Sequence, residues 1–509
     1  MTPRPLLPLT VATALVGGGF GALALPVTSA AATVAETAPA PAVAPTNLLT
    51  GDTATFAGGT GTWVAQNATL SAVNGALRIT TAVAGWSMVR SGTGTPATPG
   101  RVYSAQVDAR AETTGRQVLP YVTFYDASGT KLAEAKGQIG TDSTTAWTTS
   151  AAAVAVAPDR TAKVAVGVLD WGTAAGESHL VTAPRLTVTD PAGRLAVGPL
   201  TTAGNTVRDA QGPLVLRGMH RNGVEAASSP ISTYEMAQAR RWGANTVRLP
   251  VAGPLYTQGN CAYDATYAAR VDSAVANITG AGLVALLDLH TSSPTPCGTV
   301  RQQLMADTSM LAFWDQAARR YASNPHVAFD LYNEPHNISD SVWLRGGAVT
   351  ADGVSYTAIG MQQMYDTVRA AGAQNLVVVS GNDWANRLPS VRVSGNNIVY
   401  GVHAYTCPAT PTSCTATPFD ASSILSSWVA PSASVPVMVS EFGYPSPTDG
   451  GPYMANVTAF ARAHNWGWTA FSWDGYGNGT WGLLADAADG GPFMPTSEGM
   501  RIVTALTLP

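Results

Sequence analysis

The sequence predicts an α/β protein built around a (β/α)8 TIM barrel, preceded by an all-β sandwich domain. Residues 47–189 alternate short strand-like runs with turns rich in Gly, Asp, Ser and Thr, and they show no long helical pattern, which is typical of a sandwich. Beyond Asp190-Pro191-Ala192-Gly193, eight apolar strand-like runs alternate with amphipathic segments. This alternation is the pattern of eight βα units, which close into a barrel.

The first 32 residues have the pattern of a secretory signal peptide. Arg4 supplies a positive region, a mostly apolar stretch runs from Leu6 to Leu25, and Ala30-Ala31-Ala32 offers small residues for cleavage. An uncleaved membrane anchor is the alternative, because the apolar stretch is long enough to span a bilayer. Its glycines and the small-residue site favour cleavage. We therefore expect a secreted, extracellular protein with a bacterial export signal and no stable membrane insertion.

Length and charge set the remaining limits. The 509 residues exceed what one hydrophobic core usually organises. We place an Ala/Pro-rich spacer at residues 33–45, the sandwich at 46–190 and the barrel at 196–509. Only 12% of the residues are charged, the formal net charge is -4, and there is no long basic run, so we expect no nucleic-acid partner. We expect the protein to be a monomer.

The cysteines predict disulfide bonds, which an exported protein tolerates. They are Cys261, Cys297, Cys407 and Cys414. Cys407 and Cys414 flank a Pro/Thr-rich loop that a disulfide could close, and Cys261 and Cys297 could then join two neighbouring loops. A zinc site is the alternative, but no C-x-x-C spacing supports it.

The predicted barrel strands are short runs rich in Val, Ile, Leu and aromatic residues, as in parallel strands buried on both faces. They are Leu214–Gly218, Thr246–Leu249, Leu283–Leu289, Val327–Tyr332, Leu376–Ser380, Ile398–Val402, Val437–Ser440 and Trp468–Ser472. The clearest predicted helices between them are Tyr267–Ile278, Met310–Tyr321, Tyr356–Ala371 and Val457–His464. Catalytic groups of such barrels lie at the carboxyl ends of the strands.

Two glutamates stand at such ends. Glu334 follows the fourth predicted strand, and Glu441 follows the seventh. Hydrolysis of a glycoside with retention of configuration needs such a pair, because one carboxyl group acts as acid and then base while the other attacks the anomeric carbon. The two groups must lie about 5–5.5 Å apart. We expect Glu334 to be protonated, with a raised pKa, and Glu441 to be ionised.

Further polar or aromatic residues lie at the strand ends. They are Arg248, His290, Asn333, His403, Tyr405 and Trp473. A single His or Arg is most often structural, but so many strand ends with such groups indicate an active site. A serine hydrolase would need a Gly-x-Ser-x-Gly turn, which the chain lacks. A metal hydrolase would need clustered ligands, and neither His290 nor His403 has a helical partner, so we expect no catalytic metal.

The ordered motifs resemble glycoside hydrolase family 5, the cellulase-type family, over residues 205–507. The motifs are Asn245-Thr246-Val247-Arg248-Leu249-Pro250, Asp288-Leu289-His290, Leu331-Tyr332-Asn333-Glu334-Pro335, His403-Ala404-Tyr405, Ser440-Glu441-Phe442-Gly443 and Phe471-Ser472-Trp473-Asp474. The resemblance implies that Glu334 is the acid/base and Glu441 the nucleophile. It implies that Asn333 binds the sugar 2-hydroxyl, that Arg248 and Tyr405 hold Glu441, that His290 and His403 line the attacked sugar, and that Trp473 is its platform.

Other residues are candidates for the outer subsites. Trp384 follows the fifth strand and is a predicted aromatic platform, and Tyr444, Tyr476 and Trp481 are further candidates. The polar loop after the first strand contains His220, Arg221 and Glu225. These residues could contact sugar hydroxyls, but a solvated loop is the favoured interpretation.

The start of the sandwich resembles carbohydrate-binding jelly rolls of the family 4/9 type. Asn47-Leu48-Leu49 and Gly61-Thr62-Trp63 carry this resemblance, which covers residues 46–190. It implies a groove with aromatic side chains and a possible structural calcium ion. The candidates are Trp86, Tyr121, Tyr125, Trp147 and Trp171, each of which could equally belong to the core. An inert spacer domain is the alternative.

Together these features predict a secreted, retaining β-glycosidase of the endo-β-1,4-glucanase type. Its partner would be a β-linked polysaccharide or oligosaccharide, and catalysis would require no cofactor. Mannan, xyloglucan and glucosylceramide are alternative substrates, because the same catalytic set serves them. A glycan-binding protein without catalysis is the other alternative, and the intact pair Glu334 and Glu441 argues against it.

Overall fold

The computed structural model describes residues 45–222, 224–225, 230–293, 300–351, 353–405, 422–444, 452–474, 481–485 and 491–509. The predicted signal peptide lies outside these residues, as do Cys297, Cys407, Cys414 and Tyr476. Signal cleavage and the disulfide pairings therefore stay predictions. Within the described part of the chain, no helix has the length and apolar character needed to cross a membrane.

Two antiparallel sheets follow a short helix, α1 (Asp52–Thr55). Their strands are β1 (Val64–Gln66), β2 (Ala68–Val73), β3 (Ala76–Thr81), β4 (Trp86–Arg90), β5 (Thr95–Pro96), β6 (Val102–Ala111), β7 (Gln117–Tyr125), β8 (Lys131–Lys136), β9 (Gly140–Thr141), β10 (Thr148–Thr149), β11 (Ala153–Val156), β12 (Lys163–Trp171) and β13 (Ser178–Thr189). One sheet has the order β1-β4-β12-β7-β8, with β5 also paired to β12 and β9 to β7. The other has the order β10-β6-β13-β3-β2, with β11 beside β6.

The alternation of these strands explains their packing. In β6, side chains alternate between buried and partly exposed, as expected when one sheet face is buried. Val107 from β6 and Val122 from β7 belong to the same buried apolar cluster, so residues of both sheets share one core. The arrangement is compatible with the predicted sandwich, and its jelly-roll connectivity stays a prediction.

A small sheet precedes the barrel. It consists of β14 (Thr201–Ala203), β15 (Thr206–Asp209) and β16 (Gly212–Pro213). Just beyond it, Leu214 and Leu216 pack with Leu286 and Val378 in a buried cluster. Leu286 precedes Asp288, which contacts the site residue Arg248, by two positions on the same strand, so this cluster lies on the amino-terminal side of the site.

Eight parallel strands close into the predicted barrel. In order they are β17 (Arg217–His220), β18 (Thr246–Ala252), β19 (Val284–Thr291), β20 (Val327–Asp330), β23 (Val377–Ser380), β24 (Ile398–Ala404), β25 (Val437–Phe442) and β26 (Gly467–Ala470). The helices are α2 (Thr233–Trp242), α3 (Gly253–Tyr256), α4 (Ala265–Gly280), α5 (Met310–Tyr321), α6 (Asp340–Arg345), α7 (Met361–Ala370), α8 (Ser422–Ser432), α9 (Tyr453–Ala463) and α10 (Ser497–Leu506).

Several predicted boundaries differ from the structure, and two of the differences have a clear structural cause. The first barrel strand begins at Arg217 rather than Leu214, because the Leu214 amide donates to Val207 in the small sheet. The helix predicted from Tyr356 begins at Met361, because the preceding residues form a hairpin of β21 (Gly347–Ala351) and β22 (Val354–Ala358). Residues of β22 alternate between partly buried and exposed, which suits a strand rather than a helix.

Candidate active site

Strand register brings the predicted site residues together at the carboxyl ends of the barrel strands. His220 pairs with Arg248 across β17 and β18, and His403 pairs with Glu441 across β24 and β25. Because the eight strands are parallel and closed, side chains that follow the buried runs converge at one mouth.

Arg248 is the fully buried centre of this cluster. Its Nη1 donates to Oε2 of Glu441 at 2.6 Å, and its Nε donates to Oδ2 of Asp330 at 3.0 Å. Its Nη2 donates to Oδ1 of Asn333 at 2.9 Å and lies 3.1 Å from Oδ2 of Asp288. Burial disfavours the charge, but the three carboxylates outweigh burial and raise the pKa of Arg248. A permanent cation is thus fixed beneath the mouth.

Glu441 is held on both carboxylate oxygens. Oε2 accepts from Arg248, and Oε1 accepts the hydroxyl hydrogen of Tyr405 at 2.8 Å. These are the two contacts that the family resemblance implied. Because a charged and a neutral donor both point at the carboxylate, its negative charge is stabilised and its orientation is fixed.

Glu334 occupies a different environment. Its backbone has a φ of 49°, in the left-handed region that non-glycine residues seldom adopt. Its Oε1 lies 2.9 Å from Nδ1 of His403. Burial raises the pKa of Glu334 from its ordinary value, although nearby His290 and Arg248 act in the opposite direction. A strained backbone that presents a carboxyl group of raised pKa is typical of a functional residue.

Asn333 is buried and held at both ends of its amide. Its Oδ1 accepts from Arg248, and its Nδ2 donates to Oε1 of Gln302 at 3.1 Å. Gln302 in turn donates through Nε2 to the Asn333 carbonyl at 2.6 Å. No sequence pattern indicates Gln302 as a site residue, because it lies in a loop and follows no predicted strand.

The two predicted histidines have different partners. His290 Nδ1 lies 2.6 Å from Oδ2 of Asp288, and this carboxylate raises the pKa of His290 although burial opposes the charge. Burial lowers the pKa of His403 to about 4, so its ring is neutral near pH 7. The Nε2 atom of His403 is buried and has no hydrogen-bond partner among the described residues.

His220 belongs to the site, although we favoured a solvated loop for it. The residue is fully buried, with Nδ1 3.1 Å from Nη1 of Arg248 and 3.5 Å from Oε2 of Glu441. Because an arginine can only donate, Nδ1 must accept, so the proton is on Nε2, which donates to Asn222 at 3.0 Å. Burial lowers the pKa of His220 well below its ordinary value, which agrees with a neutral ring.

Arg221 is also buried, so the solvated-loop interpretation is wrong for both residues. Its guanidinium group binds Glu235 and Asp474, each at 2.6 Å. Glu225, in contrast, is exposed, as that interpretation requires. The polar side chain of Arg221 therefore belongs to a buried ion-pair network, whereas that of Glu225 faces water.

The expected role of Trp473 is wrong. Its side chain is 0% exposed and packs between Trp242, at 4.7 Å between ring centroids, and Phe493, at 5.9 Å. A sugar platform needs an open ring face. Phe471, two residues earlier, is only partly buried and packs edge-on against Tyr405 at 6.4 Å, so it is the aromatic residue that the last barrel strand brings to the mouth.

The candidate residues for the outer subsites differ in their solvent exposure. Trp384 is 45% exposed and stacks on His336. Trp481 is half-buried against Tyr405, and Tyr444 packs on Tyr453. Their contacts with substrate stay predictions.

The candidate aromatic residues of the sandwich also differ in their solvent exposure. Tyr121 and Tyr125 are buried, and the Tyr121 hydroxyl donates to the Val89 carbonyl at 2.9 Å. Because both rings are buried, neither offers an open face to a sugar. Trp147 and Trp171 are exposed, and Trp86 is half-buried.

The two glutamates are close neighbours. One donor atom from each of Glu334, His403 and Glu441 lies within 4.8 Å of the other two. This spacing would also suit a bound cation, but the surroundings of the two glutamates differ. Glu441 is bound to a cation and a hydroxyl, whereas Glu334 contacts a neutral imidazole. The two carboxyl groups therefore lie close together in different surroundings, and burial raises the pKa of Glu334.

Comparison with known proteins identifies relatives of this chain. A manganese dependent endoglucanase of Phanerodontia chrysosporium is 30% identical over 208 residues, which are 39% of this chain and 47% of that protein. Endoglucanase 3 of Humicola insolens is 31% identical over 159 residues, which are 29% of this chain and 36% of that protein. The chain thus spans less than half the length of these curated relatives.

A solved structure and a family match complete the comparison. The catalytic domain of a Thermobifida fusca endoglucanase gives a TM-score of 0.47 at 19% identity, over 61% of this chain and 98% of that domain. Residues 208–477, just over half of the chain, match the cellulase family, glycosyl hydrolase family 5. The chain therefore belongs to the cellulase family, glycosyl hydrolase family 5.

Proposed function

We propose that this chain is a retaining β-glycosidase of the endo-β-1,4-glucanase type. The observation that carries the proposal is the pair Glu334 and Glu441, with carboxylate oxygens within 4.8 Å of each other. Retaining glycosidases hold their two carboxyl groups about 5–5.5 Å apart, whereas inverting enzymes leave room for a water molecule at about 6.5–9.5 Å. The spacing therefore favours direct attack by one carboxylate.

The environments assign the roles. Glu334, whose pKa is raised, gives its proton to the glycosidic oxygen while Glu441 attacks the anomeric carbon, so the glycosidic bond breaks and a glycosyl ester forms. Glu334 then removes a proton from water, which attacks the same carbon and releases Glu441. Arg248 and Tyr405 stabilise the returning charge on Glu441.

Neighbouring side chains would bind the attacked sugar. Asn333 is fixed by Arg248 and Gln302, which suits a donor to the 2-hydroxyl. The unpartnered Nε2 of His403 suits a second sugar hydroxyl. His290, partly exposed beside Asp288, lines the same space. Phe471 replaces Trp473 as the proposed aromatic contact.

The substrate class rests on the relatives, which are endoglucanases. We assign a β-linked glucan, and the mannan, xyloglucan and glucosylceramide alternatives share the catalytic set. The test is an assay of the wild type, Glu334→Gln and Glu441→Gln on each of these substrates. Release of reducing ends from β-1,4-glucan, lost in both variants, supports the proposal. If the wild type hydrolyses only mannan, xyloglucan or glucosylceramide, that substrate replaces the proposed glucan. If the wild type binds these substrates but hydrolyses none of them, the proposed mechanism is contradicted.

Catalysis is proposed to proceed without a metal. Enzymes of this family generally need no cofactor for catalysis, and the described chemistry uses Glu334 and Glu441 as acid and nucleophile. A cation bound between Glu334 and Glu441 would occupy both carboxyl groups, so neither could act as acid or nucleophile. Activity unchanged after dialysis against a chelator supports the proposal, whereas loss that manganese restores would contradict it.

We propose that the amino-terminal domain binds glycan. The sheet face turned away from the core carries Leu119, Leu169 and Trp171, which line a cavity of about 150 Å³ together with Gln117 and Ile139. Trp171 is 55% exposed. An exposed indole beside apolar side chains suits the C–H face of a pyranose ring. The inert-spacer alternative gives no reason for this surface.

Retention on insoluble cellulose tests the domain's role. The inactive Glu441→Gln protein is compared with the same protein carrying Trp171→Ala or Val83→Ala, since Val83 is another exposed apolar residue of the domain. Weakened retention in the Trp171→Ala protein alone supports glycan binding. Equal retention of all three proteins favours the spacer.

We also propose that the protein is exported, that it is a monomer and that its sandwich domain holds a structural calcium ion. Export with signal cleavage after about residue 32 is tested by sequencing the amino terminus of the secreted protein. A monomer is tested by light scattering. A structural calcium ion in the sandwich is tested by metal analysis; its described residues contain no group of three acidic, imidazole or thiol donors within 4.8 Å of one another.

A further inference from the structure

The side chain of Gln302 binds the backbone on both sides of the Glu334 α-carbon. Its Nε2 atom donates to the Asn333 carbonyl at 2.6 Å and to the Glu334 carbonyl at 3.3 Å. The Gln303 carbonyl lies 3.2 Å from the same nitrogen. Because carbonyl oxygens can only accept, these contacts identify the atom as the amide nitrogen, and Oε1 is the atom that faces the Asn333 side chain.

The side-chain amide of Asn333 is thereby fixed in one orientation. Its Oδ1 accepts at 2.9 Å from Arg248, which can only donate. Its Nδ2 donates at 3.1 Å to Oε1 of Gln302, which can only accept. A flip of the Asn333 amide would therefore break both hydrogen bonds. Arg248 and Gln302 together determine where the amide nitrogen points.

The Asn333 amide keeps one proton for a ligand. An amide nitrogen carries two protons, and within the described part of the chain Nδ2 of Asn333 donates to Gln302 alone. The proposed mechanism uses this group to bind the 2-hydroxyl of the attacked sugar, in a contact that strengthens in the transition state. Both N–H bonds lie in the plane of one amide group, so the partner of the first bond sets the direction of the second.

The segment that carries Gln302 is anchored on both sides. Arg301 exchanges two backbone hydrogen bonds, of 3.0 and 3.1 Å, with Ser292. The Gln303 amide donates to the Tyr332 hydroxyl at 3.1 Å, and this hydroxyl donates back to the Gln303 carbonyl at 3.0 Å. Ser292 and Tyr332 are buried. Gln302 therefore extends from a fixed segment, as the support of a pre-organised site requires.

We propose that Gln302 is a positioning residue that directs the Asn333 amide at the 2-hydroxyl of the attacked sugar. The inference rests on the proposed function, because it takes Asn333 as the donor to this hydroxyl. Gln302 does not contact the sugar, and its effect on catalysis passes through Asn333. Without Gln302, the Asn333 amide keeps its contact with Arg248 but can rotate about it, so its N–H is aligned with the hydroxyl for only part of the time.

A double-mutant cycle tests this route. The wild type, Gln302→Met, Asn333→Ala and the double variant are compared by kcat and KM on cellotetraose. Methionine keeps the length of the side chain but cannot donate a hydrogen bond and is only a weak acceptor. Gln316→Met is the control, because the Gln316 amide also bonds to backbone, that of Gln258, but on the exposed surface of the barrel.

Thermal unfolding shows whether each variant is folded. If Gln302→Met does not fold, Gln302→Ala takes its place in the cycle. Failure of both substitutions to give a folded protein would show that Gln302 is needed for the fold, and it would overturn the inference.

For Gln302→Met we expect kcat to fall roughly tenfold and KM to change less than about twofold, because the lost alignment matters most in the transition state. In the Asn333→Ala background the same substitution should lower kcat less than about twofold, since no amide is left to direct. Gln316→Met should leave both constants unchanged. Equal losses in the two backgrounds would show that Gln302 acts through another group, and they would overturn the inference, as would an unchanged kcat in Gln302→Met. A wild type that does not hydrolyse cellotetraose would instead overturn the proposed function.

Discussion

Arg248 and Glu441 form a buried ion pair at 2.6 Å between Nη1 and Oε2, and the same guanidinium group also binds Asp288 and Asp330. One cation therefore serves three carboxylates beneath the mouth of the barrel. This relationship orients Glu441, and it also makes Arg248 a structural requirement of the strands that it joins.

Replacing Arg248 with Met should destabilise the protein strongly. Removing one partner of a buried ion pair typically costs about 3–5 kcal/mol, because the other charge stays buried and unpaired. Denaturant unfolding measures this loss. Arg319→Met is the control, because Arg319 forms an exposed i,i+4 pair with Asp315 that should contribute less than about 1 kcal/mol. Equal stability of the two variants would contradict the central place of Arg248.

Replacing Tyr405 with Phe should slow catalysis without unfolding the protein. The change removes the hydroxyl that donates to Oε1 of Glu441 at 2.8 Å and keeps the ring. A hydrogen bond to a charged group contributes about 1.5–3 kcal/mol, so kcat should fall roughly tenfold to a hundredfold. Steady-state kinetics and thermal unfolding provide the two measurements. A large fall in the unfolding temperature with unchanged kcat would show that the hydroxyl is structural.

The pH profile should reveal Glu334 as the acid. Its pKa is raised by burial, and the acid must be protonated to act, so kcat/KM should be high below this pKa and should fall as pH rises through it. Glu334→Ala should lose this basic limb on an aryl glycoside whose leaving group needs no proton. A basic limb that persists in Glu334→Ala would assign the titration to another group.

Phe471 and Trp473 should respond in opposite ways to truncation. Trp473→Ala should cost about 3–5 kcal/mol of stability, because the side chain is fully buried between Trp242 and Phe493. Phe471→Ala should cost less stability and should raise KM or lower kcat. Unfolding curves and kinetics of the two variants decide the matter. A catalytic defect confined to folded Trp473→Ala protein would restore its predicted role.

The sequence allowed the barrel and the catalytic pair to be predicted because both depend on local pattern. Buried parallel strands are continuous apolar runs, and the residues that follow them must lie at one mouth. Arg248, Asn333, Glu334 and Glu441 are all placed by this rule. The contact of Tyr405 with Glu441 followed from the family resemblance.

The residues that were misassigned or missed depend on contacts between distant parts of the chain, which local sequence patterns do not reveal. His220 and Arg221 read as solvated because polarity alone does not reveal a buried partner, and Arg221 is neutralised by Glu235 and by Asp474, which lie far apart in the sequence. Phe471 and Trp473 are separated by a single residue, so only the three-dimensional position of the chain after β26 decides which ring reaches the mouth. Gln302 acts from a loop, where no periodicity indicates its contacts.

The stereochemistry of the first product tests the central claim most directly. Proton NMR during hydrolysis of a β-1,4-linked cello-oligosaccharide distinguishes the anomer that is released from the one that forms later by mutarotation. Double displacement through Glu441 predicts that the β-anomer appears first. Initial release of the α-anomer would show single displacement by water and would contradict the assignment of Glu441 as the nucleophile.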